Sequence, residues 1–425
     1  MEFKSYPNYK DSGVEWLGKV PEHWRISSLK RYGYFKGGAG FPHAYQGNTE
    51  ENIPFFKVNS LSKDKRFLSS FSDFVGEETA KKLGAKIFPK NSIFFAKVGA
   101  ALLLERIRTN QQPCCIDNNM MGFVIQNELS FDFAFYLMSL IDFKYLVNPG
   151  AVPSINESQI SSFLISVPPI SEQTQIANYL DTETTRIDNL IAKQEKLIEL
   201  LEEQRKSIIS HAVTKGLNPN APMKDSGVEW LGDVPEHWSE NKIKFVSKLI
   251  TDKTANKSNV IALENIESWT AKLVSSNSDF DSDGICFKKN DVLFGKLRPY
   301  LAKVYLAESK GEAIGDIYVL RPNNLINPKF LKFFMLSEKF IDYVNSSTNG
   351  TKMPRANWDF IGSISIFLPH IKIQHEIVEY LDSAVLKIEL IINKQKSLIE
   401  KLKEYRASII SHAVTGKIDV REFGA

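Results

Sequence analysis

A chain of 425 residues has room for two or three domains, and 43% apolar against 24% charged residues is the balance of a folded protein, not a disordered one. No run reaches the roughly 18 apolar residues of a membrane-spanning helix, and a net charge of +3 is too small to announce nucleic acid by itself. The opening MEFKSYPNYKD lacks the apolar stretch of a secretory signal, which points to the cytoplasm, while Cys114, Cys115 and Cys286 offer no C-x-x-C pair and read as small core hydrophobes.

The first element, KDSGVEWLGKVPEHW at Lys10 to Trp24, returns as KDSGVEWLGDVPEHW at Lys224 to Trp238, fourteen of fifteen positions identical at an offset of 214. Gly13, Gly18 and Pro21 forbid a long helix there, so each copy should be a turn-rich plug that buries its tryptophans. For Glu22 and His23 packing and capping are the expected roles, not catalysis. From Arg25 to Pro169 short runs rich in branched and aromatic residues predict strands at 53–58, 86–88, 92–98 and 122–125, with a helix over 131–143. Gly37-Gly38-Ala39-Gly40 has no strand–G-x-G-x-x-G–helix context and reads as a turn.

Past Pro168 and Pro169 the pattern becomes one long helix, with Ser171 as its N-cap, Glu172 in the first turn and Gly216 with Pro219 as its stop. Leu180, Ile187, Gln194, Leu201 and Ile208 recur every seven residues, and Leu190, Ile191, Leu197 and Ile198 widen the stripe beyond a strict coiled-coil seam. The second half repeats these parts. Strands are expected at 260–263, 291–297 and 317–320 and a helix over 330–343, before a second long helix at 372–415. That helix carries Leu381, Ile388, Gln395, Leu402 and Ile409 at an offset of 201 from the first series. Its end, Ser408 to Thr415, is identical to Ser207 to Thr214, with His412 matching His211. Offsets of 214 and 201 make the second domain 13 residues shorter.

The expected organisation is a plug at 1–24, a domain at 25–169, a helix at 170–216, a linker and second plug at 217–238, a domain at 239–369, and a helix with tail at 370–425. The fold class is α+β, two mixed α/β domains joined by two long helices. The helices are too long for either domain to cover and pack most simply on each other, antiparallel, with an internal pseudo-two-fold axis. Duplex DNA has dyads of the same kind, so two unlike domains so arranged suit an asymmetric, two-part site. Gln194 and Gln395 are either register-fixing or solvated.

Motifs of catalysis are missing from the sequence. There is no phosphate loop, no H-E-x-x-H or paired C-x-x-C metal site and no G-x-S-x-G turn. Asn148-Pro149-Gly150 only approaches the Asn-Pro-Pro-aromatic signature of an adenine methylase. Cations cluster in the mixed domains: Lys57 to Arg66; Lys81, Lys82, Lys86 and Lys90; and Lys288, Lys289, Lys296, Arg298 and Lys303. Such runs supply phosphate contacts when they line a concave face, and otherwise are solvated surface. Two polar loops, Pro153-Ser154-Ile155-Asn156 and Pro354-Arg355-Ala356-Asn357, occupy equivalent places and either reach bases or cap the next element. The candidate DNA-binding residues are Lys57, Asn59, Lys97, Arg106, Arg108, Ser154, Asn156, Lys296, Arg298, Lys352, Arg355 and Asn357.

The plug motif, the P-P-I-S-E-Q lead at Pro168 to Gln173 and the A-V-T-G-K-I-D-V-R-E tail at Ala413 to Glu422 together resemble the specificity subunit of type I restriction-modification systems. The second lead, Pro369 to Gln374, keeps only part of its pattern. The resemblance implies two target recognition domains, each reading half of a split DNA site, and antiparallel helices that dock two methylase subunits, which two restriction subunits join. It implies no catalytic residue, metal or cofactor in this chain, with S-adenosylmethionine, ATP and Mg on partner subunits. A self-sufficient methylase or nuclease, and a coiled-coil adaptor that binds only protein, are the competing readings.

Overall fold

The computed structural model describes residues 4–61, 66–68, 73–126, 128–147, 152–254, 259–274, 283–348 and 353–423. It forms two compact units, Met1–Ala192 with Ile399–Ala425, and Lys193–Leu398. The division falls inside both long helices, Ile170–Lys215 and Ile371–Val414. Each helix is thus shared between the units and is not an element standing apart.

In the first unit the plug is a two-stranded hairpin, Tyr9–Asp11 against Lys19–Pro21. The mixed domain carries a four-stranded antiparallel sheet in the order Gly33–Gly37, Met120–Ile125, Ile93–Ala96, Arg108–Thr109. Phe35 stacks on Phe123 with ring centroids 4.4 Å apart, in one core with Ile93, Phe95 and the helix Phe131–Met138. A second layer pairs Ile53–Phe56 parallel to Cys115–Ile116. Gly38 is glycine for want of space: a Cβ there would meet the Ile116 and Asp117 carbonyl oxygens at 2.2 and 2.1 Å. The expected turn at Gly37 to Gly40 is instead a continuation of the sheet edge, Gly37 ending the strand and the Gly38 and Ala39 amides donating to the Met120 and Ile116 carbonyls, both at 3.1 Å.

The second unit repeats this topology. Its main sheet runs Ser247–Ile250, Ile317–Pro322, Val292–Gly295, Val304–Leu306, again antiparallel, and its second sheet again holds one parallel pair, Val260–Ile261 with Gly311–Ala313. In both units the strand entering the domain pairs antiparallel with the strand leaving it: Arg25–Ser28 with Leu164–Val167, and Ser239–Lys242 with Ser365–Leu368. Each mixed domain is therefore closed at its own neck.

The helices pair antiparallel within each unit. In the first, Ile176, Leu180 and Ile187 share a core with Ile409, Ile410 and Ala413, and the Arg406 guanidinium grips Asp188 at 2.9 Å. In the second, Leu201 packs on Ile388 and Ile392. Gln194 and Gln395 are both half-buried in the second unit, and no hydrogen bond joins them among the described residues.

Several boundaries differ from the sequence reading. The first long helix starts at Ile170, so Ser171 lies in its first turn and the Pro169 carbonyl accepts from the Glu172 and Gln173 amides at 2.9 and 3.0 Å. The 131–143 helix ends at Met138. The 330–343 segment is two helices, Pro328–Leu336 and Glu338–Ser346, because Ser337 turns extended and its hydroxyl donates to the Phe334 carbonyl at 2.6 Å. The 86–88 strand reduces to one bridge, Phe88 with Cys114. The first helix stops where expected, at Gly216, and the second, expected to reach Thr415, ends at Val414; Gly216 and Gly416 have φ of 77° and 72°, a left-handed turn that favours glycine.

Candidate nucleic-acid interface

The plugs hold the mixed domains to the helices. Trp24 and Trp238 are buried, while Trp16 and Trp230 lie half-buried against Phe163 and Tyr343. A lysine at the end of the first long helix, and one three residues past the end of the second, each clasp a plug. Lys417 donates to the Leu17 carbonyl at 2.7 Å and to that of Lys19, and Lys215 donates to that of Asp233, the position equivalent to Lys19. In the first unit buried Glu172 accepts from Trp24 Nε1 at 3.0 Å and Tyr6 Oη at 2.5 Å, and pairs with His23 at 2.8 Å. Its counterpart in the second unit is Ile373, so that polar knot occurs once.

What both units keep is the next residue. Gln173 Nε2 donates to the Glu128 and Pro168 carbonyls, both at 2.9 Å, and its Oε1 accepts from the Ser130 amide at 2.8 Å. Gln374 makes the same three bonds to Leu325, Pro369 and Asn327, at 3.0, 3.0 and 2.8 Å. These glutamines did not stand out in sequence reasoning. Their signal was survival at the 201 offset where half of the lead motif was lost.

The two polar loops are pinned to the end of the same sheet strand in each unit. Ile155 N–H bonds the Lys97 carbonyl at 3.0 Å and Gly99 N–H bonds that of Pro153 at 2.8 Å; Ala356 N–H bonds Lys296 and Arg298 N–H bonds Pro354, both at 2.8 Å. A third segment joins alike, the Lys97 amide donating to the Asn119 carbonyl and the Lys296 amide to that of Asp316. Backbone geometry is thus common to both, while the side chains differ: Gly99, Asn119 and Ser154 in one unit stand where Arg298, Asp316 and Arg355 stand in the other.

This platform gathers Lys97, Ser154 and Asn156 in the first unit, and Lys296, Arg298, Arg355 and Asn357 in the second. Arg298 is exposed, at a left-handed φ of 51°. Arg355 is exposed and forks onto Asp316, with Nε at 3.2 Å and Nη2 at 3.0 Å from its oxygens. Lys296 sits 3.8 Å from the same carboxylate and 5.2 Å from the centre of the Tyr318 ring. Asn156 and Asn357 cap the short helices that follow, Oδ1 accepting from the Gln159 and Asp359 amides, each at 2.9 Å. Capping occupies the oxygen and leaves the amide nitrogen to donate.

The remaining candidates lie elsewhere. Lys57 is tied to Asp73 at 2.9 Å and Gln46 at 3.1 Å, with exposed Asn59 beside it. Near them, burial raises the Asp117 carboxyl above its usual range. Arg106 donates to the Leu61 carbonyl. Arg108 is 8% exposed, its guanidinium on the Ile107 carbonyl, and so serves the fold instead of facing solvent. Lys303 likewise turns inward to the Leu263 carbonyl at 2.8 Å. Lys352, Asn148 to Gly150 and residues 62–65 of the Lys57 to Arg66 cluster lie outside the described residues. Among the described residues no group of three or more His, Cys, Asp or Glu is placed to hold a metal, and no helix is long and apolar enough to cross a membrane. Burial pushes the Cys115 thiol up to about 11 and Cys114 higher still.

Comparison with known proteins agrees with this duplicated architecture. The family model described as "Type I restriction modification DNA specificity domain" matches residues 21–202 and 235–401. The EcoDI specificity subunit of Escherichia coli is 25% identical over 63% of this chain and 65% of its own length, a little under two thirds of that relative. A putative MjaX specificity subunit of Methanocaldococcus jannaschii is 23% identical over 99% of both chains. Among solved structures, one described as the structural basis of assembly and conformational transition of the type I R-M system superposes with a TM-score of 0.71 at 14% identity, covering 93% of this chain and 98% of that one. The HsdS subunit from Thermoanaerobacter tengcongensis gives 0.56 at 14% identity, over 94% and 98%. With both halves matched by its model, the chain belongs to the type I restriction-modification DNA specificity family.

Proposed function

We propose that this chain is the non-catalytic specificity subunit of a type I restriction-modification complex, reading an asymmetric two-part DNA site with one mixed domain per half-site. The observation that carries this reading is the pair of platforms: one backbone arrangement presenting Ser154 and Asn119 in one unit and Arg355, Arg298 and Asp316 in the other. A conserved frame with divergent polar side chains is what two different stretches of bases require.

The long helices serve as spacer and docking scaffold. Leu197, Leu200, Leu386, Leu390 and Ile391 are exposed on them in the second unit, which suits partner helices better than water. Two methylase subunits dock there and two restriction subunits join, bringing S-adenosylmethionine, ATP and Mg, and the complex works in the cytoplasm.

Mapping methylated bases in a cell that expresses this chain with its methylase tests the proposal. A split motif with unlike halves and a fixed gap is expected. Methylation independent of this chain, or a purified complex without sequence preference at controlled salt, refutes it.

A further inference from the structure

Arg205 is an anomaly explained by nothing in the reading above. It lies on the first long helix in the second unit, only 6% exposed, and its Nε is buried with no hydrogen-bond partner. No ion pair or side-chain hydrogen bond engages the rest of its guanidinium among the described residues. An arginine cannot shed its proton to escape burial, and a buried charge without a counter-charge is strongly unfavourable.

The duplication supplies an internal control. The equivalent residue in the first unit, Arg406, is satisfied by Asp188 at 2.9 Å. The equivalent of Asp188 is Glu389, present in the second unit and 13% exposed. Glu389 is nevertheless taken by Lys272, at 2.6 Å, from a turn of the second mixed domain. That turn is closed by the Glu267 amide on the Lys272 carbonyl at 2.9 Å, and it places the Trp269 ring 4.1 Å from Lys206 Nζ. Arg205 thereby loses the carboxylate that its twin retains.

Arg205 lines a cavity of about 220 Å³, room for a small tetrahedral ion with several waters. Lys206 and Lys396 share its wall, with Ser268 contributing a hydroxyl. Of the acids there, Glu389 is committed to Lys272 and Glu267 accepts from Thr270 Oγ1 at 2.7 Å, leaving Glu202 on the exposed side. We propose that Arg205, Lys206 and Lys396 form an anion site that takes a phosphoryl oxyanion, either free phosphate or the terminal phosphate of a nucleotide. A guanidinium fork matches two such oxygens, and two ammonium groups balance the second charge of the dianion.

The test is thermal unfolding of the full chain at constant ionic strength, titrated in separate arms with inorganic phosphate and with ATP. A saturable rise in midpoint of several degrees is expected. Saturation at lower ATP than phosphate assigns the site to nucleotide, and the reverse assigns it to free phosphate. Arg205→Met should unfold at a higher midpoint than the parent without ligand and lose the response to both. Lys206→Gln should keep the fold and weaken the response severalfold. Arg406→Met should lower the midpoint and leave the response intact. A parent midpoint indifferent to both ligands, or an equal rise in Arg205→Met, overturns the site. Half-site recognition should be unchanged in Arg205→Met, so failure here is separable from failure of the DNA-reading role.

Discussion

Lys332 is the side chain whose protonation the fold opposes most plainly. Burial lowers its ammonium to about 8, with Asp382 3.9 Å away only partly compensating. Between that value and the ordinary 10.5 the unfolded chain holds the proton and the native chain has released it, so stability should rise with pH across about 8 to 10.5 and the penalty be complete below 8. Lys332→Met should flatten that rise and stabilise the protein at pH 7 by up to about 3 kcal/mol, checked by denaturant unfolding at several pH values. Gln374→Ala strands the Asn327 amide and two carbonyls, a loss of about 3 kcal/mol by the same measurement. Arg355→Ala should cost about 1–3 kcal/mol of binding at the second half-site and leave the first unchanged, read by binding to singly altered duplexes. At this scale the sequence was legible for the buried tryptophans and for the polar loops as a pair. It was not legible for Arg108, whose burial depends on sheet packing, nor for Asp316, which holds Arg355 and Lys296 from a segment far away in sequence.

At the scale of elements, periodicity announced the long helices because amphipathic spacing repeats over many turns, and a glycine stop fixed the end of the first. Short strands and broken helices were harder, since a hydroxyl bonding back at Ser337 can split an apolar run that looks continuous. Removing four residues from the middle of both long helices, about one turn or 6 Å, keeps their pairing in step. The gap in the recognised site should then shorten by about one or two base pairs at 3.4 Å each, with both half-sites intact, as methylation mapping reads. Unchanged spacing would show that the helices are not the ruler.

At the scale of the molecule, duplication was written openly in the two plugs, and the closed necks show why the domains between can diverge. Replacing residues 25–168 by another such domain should alter one half-site only, because the exchanged segment begins and ends on the paired strands Arg25–Ser28 and Leu164–Val167. A change in both halves of the methylated motif would refute independent reading. The sharing of helices was not legible, since heptads show that a helix needs a partner without showing where a unit stops. That sharing also sets an order of completion. The second unit is one unbroken stretch, Lys193–Leu398, whereas the first lacks Ile399–Ala425 until the ribosome reaches the far end. Ile176, Leu180 and Ile187 must wait for Ile409 and Ala413, roughly ten to fifty seconds at ordinary elongation rates. The half made first is the half completed last, and for that interval the helix face that Ile409 and Ala413 will cover stands open.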